Sequence, residues 1–199
     1  MDGFAEIIQQ IHHLDKDITL AVNSLGSPVT DAVWQLFSAR EIWFVLYLAV
    51  IAFFFVRLGW KRAIIVIVSC ILCVTVCDQL ANLVKAAVER LRPCYDEEML
   101  HRGLRVLEDP GQLYGFYSAH AANSLGFAVC SWIGFRNDKR LKYRGYGWGI
   151  GLWAFFVGIS RVFVGKHFFG DVLVGFAVGL IFGILFGMLG AWVIKRIKA

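Results

Sequence analysis

The chain has 199 residues, of which 58% are hydrophobic, 15% are aromatic and only 18% are charged. This composition excludes an ordinary water-soluble domain and predicts an all-α membrane protein. The net charge of +5 falls in short basic segments, which argues against a nucleic-acid partner, because such a partner needs a basic face. The first 22 residues are too polar and acidic for a secretory signal sequence.

The first forty residues predict two amphipathic helices that lie in the membrane interface rather than cross the bilayer. Apolar side chains recur at helical spacing through residues 4–18, with charged and amide side chains between them. Residues 23–28, NSLGSP, predict a turn, and residues 29–39 predict the second helix. His12 and His13 are expected to be solvated at the interface rather than to bind a metal.

Five apolar stretches follow, each near the roughly twenty residues that a helix needs to cross a bilayer. They are residues 42–58, 63–84, 119–135, 146–164 and 171–194. We therefore expect a single membrane domain, with interfacial helices in residues 1–40 and a transmembrane bundle of about five helices in residues 41–199. Glycine recurs at every fourth position from Gly175 to Gly187, which lets another helix approach closely. We expect this face to pack within a monomer, and a dimer through it is the alternative.

The basic segments predict the orientation of the bundle. Lysine and arginine are concentrated in residues 57–62, in residues 136–144 and at the C-terminus, residues 195–198. In a five-span arrangement these segments share one side, which the positive-inside rule makes cytoplasmic. The N-terminal helices and the long loop 85–117 then face the outside.

Five cysteines provide no clear disulfide framework. Cys70, Cys73 and Cys77 share one face of an apolar helix, at spacings of three and four residues. A thiolate metal site usually has a fourth ligand or a nearby histidine. We therefore expect these cysteines to serve as small residues for helix packing.

The second predicted span ends in polar side chains spaced by four, three, four and three residues, Asp78, Asn82, Lys85, Glu89 and Arg92. On a helix this spacing makes one continuous stripe. Lys85 and Arg92 would then lie two turns, roughly 10 Å, apart and reach into one pocket. Pro93 is expected to push Arg92 out of the helical region and to end the helix. A carboxylate such as Asp78 inside an apolar run predicts that the stripe faces a polar interior.

A second polar cluster begins the third predicted span. Ser118 is expected to cap this helix, where free amides and the helix dipole make an anion site. His120 lies in the first turn of the same helix.

The third cluster lies in the last connector. His167 and Asp171 are four residues apart, so Asp171 can accept one ring N–H and leave the other nitrogen free as a nucleophile or base. Arg161 adds a guanidinium fork that suits phosphate oxygens. Ser160 either bonds the phosphate or holds the end of its helix, and Lys166 is expected to be a bystander on the loop.

Together the three clusters suit a dianionic tetrahedral group. The cations would neutralise its oxygens, one histidine would attack, and the other would protonate the leaving oxygen. The sequence contains no carboxylate cluster suited to Mg²⁺. Neither a metal nor a cofactor is therefore expected.

The same residues resemble the tripartite signature of the type 2 phosphatidic acid phosphatase superfamily, in residues 85–93, 117–120 and 160–171. By this resemblance, His167 would be the nucleophile that forms a phosphohistidine, Asp171 would orient it, and His120 would be the general acid. The resemblance also implies a set of phosphate-binding residues, Lys85, Arg92, Ser118, Ala119 through its amide, and Arg161. Supporting roles would fall to Asp78, Asn82 and Ser160.

The second motif departs from the usual Pro-Ser-Gly-His, because it reads Tyr117-Ser118-Ala119-His120. Alanine costs little there if the backbone is helical, but it would be strained at positive φ. Tyrosine in place of proline is expected to loosen the loop. The catalytic roles are expected to survive both changes.

The resemblance implies a phosphorylated membrane lipid as substrate, processed at the periplasmic face of a bacterial inner membrane. Undecaprenyl diphosphate ranks first and lipid A phosphate second, with phosphatidylglycerophosphate and phosphatidic acid as further candidates. The loop 94–113 is expected to shape the choice of headgroup.

Three alternatives lie outside this class. A transporter or channel is disfavoured because the polar groups cluster on one side and no internal repeat is visible. A non-catalytic binder of lipid phosphates would not need the pair of His167 and Asp171. A vanadate haloperoxidase has a similar residue set by resemblance, but five apolar spans argue against it.

Overall fold

The computed structural model describes residues 2–197, and within that range every regular element is a helix. The eight α-helices are α1 (Asp2–Ser24), α2 (Pro28–Ser38), α3 (Phe44–Leu58), α4 (Trp60–Val88), α5 (Glu97–His101), α6 (Ala119–Phe135), α7 (Arg144–Phe163) and α8 (Phe169–Ile197). Short 3-10 turns at Glu41–Trp43 and Pro93–Tyr95 precede α3 and α5. The side chain of Phe4, the first apolar residue of the predicted amphipathic helix, and the basic Lys198 lie outside the described part. The all-α fold is confirmed.

Five long helices form the bundle, as the hydropathy pattern predicts. Three segments are long and apolar enough to cross a bilayer by themselves, Glu41–Leu58, α4 and α8. The other two predicted spans correspond to α6, which has 17 residues, and α7, which has 20. α6 packs against α4, α7 and α8 and is largely buried. A helix enclosed in this way needs small residues for close packing rather than a lipid-facing apolar surface, which explains its composition.

The glycine face of α8 lies against α6. A Cβ atom at Gly179 would overlap the carbonyl oxygen of Ala122, and one at Gly183 would lie 2.9 Å from the carbonyl oxygen of Gly126. The expectation that this face packs within the chain is confirmed, because its glycines are buried against α6. The three cysteines of α4 are also buried against the bundle, with the sulfur of Cys73 next to Gly126.

The two basic connectors meet at one end of the bundle. Arg57, at the end of α3, donates to the Asp138 carboxylate at 2.8 and 3.2 Å, and the Tyr143 hydroxyl donates to it at 2.6 Å. Hydrogen bonds from Arg140, Tyr143 and Arg57 hold the pKa of Asp138 well below its ordinary value. This network joins α3 to the connector between α6 and α7, so residues 57–62 and 136–144 share a side as predicted.

Helix α1 packs on the opposite end of the bundle with its polar side. The Asp15 carboxylate accepts from the Gly170 amide at 2.7 Å, and the Thr19 hydroxyl accepts from the Phe169 amide at 2.9 Å. Asn23 is buried and donates to the carbonyl oxygens of Val162 and Phe163. The apolar residues point away from the bundle, Ile7, Ile8, Ile11 and Leu14. This arrangement suits a helix in the membrane interface whose polar side binds protein.

The expectation that His12 is solvated is wrong, whereas His13 is exposed as predicted. The His12 ring is half-buried, with its centroid 5.9 Å from that of Phe168. Its Nδ1 lies 3.3 Å from a guanidinium nitrogen of Arg90. The polar side of α1 turns inward here, which the helical periodicity alone did not indicate.

Candidate active site

A cavity of about 1030 Å³ opens within the bundle and has walls of two kinds. One end is lined by cations and histidines, Lys85, Arg92, His120, Arg161, Lys166 and His167. The rest is lined largely by apolar side chains of α3 and α4, among them Tyr47, Ile51, Phe54, Ile67, Ile71 and Val74. A charged pocket therefore continues into an apolar slot, which suits a ligand with an anionic head and a hydrocarbon tail.

His167 and Asp171 face each other at the start of α8. Nδ1 of His167 lies 3.5 Å from Oδ2 of Asp171, and both side chains are almost completely buried. His167 lies in the connector, in the turn before α8, whereas Asp171 lies in the first turn of α8. Gly165 makes this turn with a φ of +77°, and a Cβ atom there would lie 2.6 Å from the carbonyl oxygen of Arg105. The turn still brings the two side chains together.

The contact between the two side chains is too long for a good hydrogen bond, and Nδ1 has no hydrogen-bond partner within residues 2–197. The Asp171 oxygen that faces it also accepts from the Phe168 amide at 3.1 Å. Catalytic hydrogen bonds are often long until the ligand binds, so this geometry is compatible with an orienting role.

Arg90 is a site residue that the sequence pattern did not reveal. It donates to Oδ1 of Asp171 at 2.6 Å and to Oδ2 of Asp15 at 2.6 Å, and its guanidinium lies 4.0 Å from the centre of the Phe168 ring. Arg90 therefore links α1 to the carboxylate behind the histidine. Its position two residues before Arg92 in a basic segment was the only available signal.

The predicted helical stripe ends earlier than expected. α4 stops at Val88, because Glu89 adopts a left-handed conformation with a φ of +51°. Arg92 is extended, and its amide donates to the Leu113 carbonyl at 3.0 Å. Arg92 is thus out of the helical region, as predicted from Pro93, but the helix ends earlier, so the prediction of one helical stripe from Lys85 to Arg92 is wrong. Both side chains still line the cavity, whereas Glu89 is exposed.

Arg161 is buried at the end of α7 and has two partners that the sequence pattern did not suggest. One terminal nitrogen contacts the Ser38 hydroxyl and lies 3.3 Å from Oε2 of Glu108. Its Nε has no hydrogen-bond partner among residues 2–197. A buried guanidinium with unused donors on a cavity wall is suited to bind a phosphate oxygen.

Lys166 was expected to be a bystander, and this expectation is wrong. Its side chain is buried, lines the cavity and donates to the carbonyl oxygen of Asp109. Burial, followed by the nearby Arg161 and Arg92, lowers the pKa of Lys166 from its ordinary value. The loop thus adds a buried cation to those of Lys85, Arg92 and Arg161, and the exposed Arg40 lines the same cavity.

The cationic surroundings act on the histidine as well. Burial contributes most to lowering the pKa of His167 well below its ordinary value, followed by Arg161, Arg92, Lys85 and Lys166. His167 is therefore neutral near pH 7. A neutral imidazole has a free lone pair, which both a nucleophile and a base require.

The second motif forms the start of α6. The Ser118 hydroxyl caps the helix by accepting from the Ala121 amide at 3.5 Å, as predicted, although Ser118 itself is buried outside the cavity wall. Ala119 is helical, so its replacement of glycine causes no strain. The expectation that Tyr117 loosens the loop is wrong. It is buried, and its hydroxyl donates to the Cys77 carbonyl at 3.3 Å.

The supporting residues separate into two groups. Ser160 is fully buried and donates to the Val157 carbonyl of its own helix at 2.8 Å, so of the two predicted roles it has the structural one. Asp78 and Asn82 line the cavity, and Asn123 of α6 lines it as well, with its amide nitrogen 3.3 Å from Oδ1 of Asp78. Asn123 was not singled out from the sequence, although it lies three residues after His120 on the same helix.

The comparison with known proteins agrees with this geometry. The family model described as the PAP2 superfamily matches residues 62–195. The chain is 30% identical over 177 residues to a lipid A 4'-phosphatase of Porphyromonas gingivalis, covering 88% of this chain and 72% of that protein. It is 29% identical over 195 residues to a lipid A 4'-phosphatase of Bacteroides thetaiotaomicron, covering 97% and 84%.

Two solved structures share the fold. A PAP2-type phosphatidylglycerolphosphate phosphatase from Bacillus subtilis superposes with a TM-score of 0.72 at 20% identity, covering 92% of this chain and 88% of that one. LpxE of Aquifex aeolicus superposes with a TM-score of 0.62 at 21% identity, covering 85% and 92%. The family model spans more than half of the chain, and the expected resemblance is confirmed. The chain is a multi-pass membrane phosphatase and belongs to the PAP2 superfamily.

Proposed function

We propose that this protein hydrolyses the 4'-phosphate monoester of lipid A at the membrane interface. The observation that carries the proposal is the continuity of the cavity, which joins a pocket of five cations, the four named above and the exposed Arg40, and two histidines to an apolar slot between α3 and α4. The pocket suits a phosphate dianion, and the slot suits the acyl chains.

In the first step, the free ring nitrogen of His167 attacks phosphorus, and the bond from phosphorus to the sugar oxygen breaks. Lys85, Arg92, Arg161 and Lys166 stabilise the charge on the three equatorial oxygens. His120, which lines the same cavity, donates a proton to the departing sugar oxygen. The products of this step are the lipid alcohol and a phosphohistidine at His167.

In the second step, a water molecule attacks the phosphohistidine while His120 accepts its proton. The bond from phosphorus to nitrogen breaks, which releases inorganic phosphate and restores His167. Asp171 orients His167 throughout and stabilises the positive charge that the ring carries when it bonds to phosphorus. Ser118 and the amide of Ala119 contribute through the N-terminus of α6, whose dipole favours an anion.

We therefore rank lipid A phosphate above undecaprenyl diphosphate, which was the first candidate substrate from the sequence. The two relatives named lipid A 4'-phosphatase cover most of the chain, which supports the monoester. The carboxylate of Glu108, 3.3 Å from Arg161 on the cavity wall, also disfavours a diphosphate, because it would repel the additional negative charge.

The purified protein in detergent micelles tests the proposal. We expect kcat/KM to be highest with bisphosphoryl lipid A, and lower with undecaprenyl diphosphate, phosphatidylglycerophosphate and phosphatidic acid. Mass spectrometry of the product should show that the phosphate group is lost from the 4' position. The His167→Ala variant should release no phosphate. A higher kcat/KM with undecaprenyl diphosphate would contradict the proposal.

The orientation forms part of the same proposal. The active site would face the periplasm from a bacterial inner membrane, and the basic connectors and the C-terminus would face the cytoplasm. Glu97 and Lys139 are exposed at the two ends of the bundle, and the five native cysteines are buried. In cells whose outer membrane is permeabilised and whose inner membrane is intact, a membrane-impermeant maleimide should label Glu97→Cys but not Lys139→Cys. The reverse pattern would overturn the orientation.

A further inference from the structure

A group of three polar side chains lines the cavity next to the histidines, and the phosphate chemistry does not use it. Asp78 and Asn82 lie on α4, and Asn123 lies on α6. The amide nitrogen of Asn123 lies 3.3 Å from Oδ1 of Asp78, and that of Asn82 lies 3.4 Å from Oδ2. We refer to these three residues as the amide–carboxylate cluster.

The cluster lies on the membrane side of the phosphate-binding cations. Asp78 precedes Lys85 by seven residues on α4, which is roughly 10 Å deeper along the helix. Asn123 follows His120 by three residues, so the two side chains are neighbours on α6. His120 is the residue that protonates the leaving oxygen, and the cluster therefore borders the position of the leaving group.

The hydrogen bonding of the cluster is incomplete. Its two internal bonds are long, and a carboxylate can accept more than the two that Asp78 receives. Oδ1 of Asn123 is buried and has no partner within residues 2–197. The amide of Asn123 must turn its nitrogen toward the carboxylate, which leaves its oxygen as an unused acceptor. Polar groups in this state at membrane depth are costly unless a ligand satisfies them.

The unused hydrogen-bond acceptors of the cluster indicate which chemical groups a ligand must have. Asp78 and Oδ1 of Asn123 can only accept hydrogen bonds, so the leaving group must donate them. An acylated amino sugar has hydroxyl groups and an amide N–H. The diacylglycerol released from phosphatidic acid has, beyond the reacting oxygen, only ester oxygens, which do not donate, and the prenyl phosphate released from a prenyl diphosphate has only phosphate oxygens, which accept. A site built for donors rejects a ligand that lacks them, because its own groups are then left unpaired.

We propose that Asp78, Asn82 and Asn123 form a subsite that binds the hydroxyl and amide N–H groups of an acylated amino-sugar leaving group. This inference rests on the proposed function, since it explains how a sugar-linked phosphate is preferred over diacylglycerol-linked and prenyl-linked phosphates. Asp78 also disfavours a phosphate in this part of the cavity through repulsion, which keeps the phosphate end of the ligand beside the cations.

The test compares kcat/KM for bisphosphoryl lipid A with kcat/KM for dioleoyl phosphatidic acid in the same detergent micelles. The variants are Asn123→Leu and Asp78→Asn, with Gln79→Leu as a matched control, because Gln79 is exposed on α4 outside the cavity wall. We expect each cluster variant to lower the ratio of the two values about ten-fold, the usual size of one lost hydrogen bond. The control should keep the ratio of the wild type.

The possible outcomes separate the inference from the proposed function. An equal loss with both substrates would mean that the cluster only joins α4 to α6, and this result overturns the inference, as does an unchanged ratio. In either case a wild-type preference for lipid A leaves the proposed function standing. A wild type that prefers phosphatidic acid overturns both. Turnover of phosphatidic acid by the variants shows that their histidine site is folded.

Discussion

Arg90 joins Asp171 to Asp15, with terminal nitrogens 2.6 Å from an oxygen of each carboxylate. The interfacial helix α1 is thereby connected to the carboxylate that faces His167, and Asp15 also accepts from the Gly170 amide at the start of α8. The N-terminal helix thus contributes to the active site without lining the cavity. Arg90 is in this sense a positioning residue, which acts through Asp171.

Replacement of Arg90 by methionine should lower kcat more than it raises KM. Asp171 would lose its main hydrogen-bond donor and move relative to His167, and misplacement by about 1 Å costs on the order of a hundred-fold in rate. Arg90→Lys should recover part of the loss. Arg102→Met is the control, because Arg102 pairs with Asp17 and Glu98 in an exposed network. Steady-state kinetics that show equal effects of Arg90→Met and Arg102→Met would contradict this role.

Lys166→Met should move the acid limb of the profile of kcat/KM against pH to higher pH. In the proposed mechanism activity requires a neutral His167 and is lost as the pH falls through the pKa of this residue. Lys166 is one of the cations that lower that pKa, so its removal raises the pKa and activity is lost sooner on acidification. Methionine preserves the apolar part of the buried side chain.

The control for this pH profile is Lys139→Met, which changes an exposed cation in a connector at the other end of the bundle. The ionisation of the substrate phosphate is the same for all three proteins, so it does not affect the difference between them. An acid limb that stays in place or moves to lower pH in Lys166→Met would refute the assignment.

The parts of the site that could be predicted from the sequence depend on contacts between residues close in the chain. The capping of α6 by Ser118 and the place of His120 in its first turn follow from a helix start. The facing of His167 and Asp171 follows from their separation by four residues, although His167 lies in the turn before α8 and not on the helix itself. The positions of the helices could also be predicted, because apolar runs long enough to cross a bilayer are a strong signal.

The residues that were missed meet the site across long stretches of chain. Arg90 is 81 residues from Asp171, and Arg161 is 53 residues from Glu108 and 123 from Ser38. Periodicity carries no information about such pairs. The early end of α4 was also hidden, because the left-handed Glu89 is followed by a segment that pairs with the distant chain at Tyr114.

Chelation with EDTA should leave activity unchanged, and added Mg²⁺ should not increase it. The phosphate oxygens have four cationic side chains available, so a metal is not required for charge neutralisation. Among residues 2–197, no group of three or more histidine, cysteine, aspartate or glutamate side chains is placed to hold a metal. The measurement is phosphate release after dialysis against EDTA. Loss of activity that Mg²⁺ restores would show that a metal takes part.

Gly179→Ala should lower the stability of the bundle by about 1–3 kcal/mol, the usual cost of overpacking a close contact. The added methyl group would overlap the Ala122 carbonyl oxygen, so α8 and α6 would have to move apart. Gly151→Ala is a matched control on α7, because a Cβ atom there meets nothing within 4 Å. Alanine is the better helix former, so this control should melt at the same temperature or higher. The measurement is the melting temperature of each variant in detergent. A Gly179→Ala protein as stable as the control would show that α6 and α8 do not pack through this face.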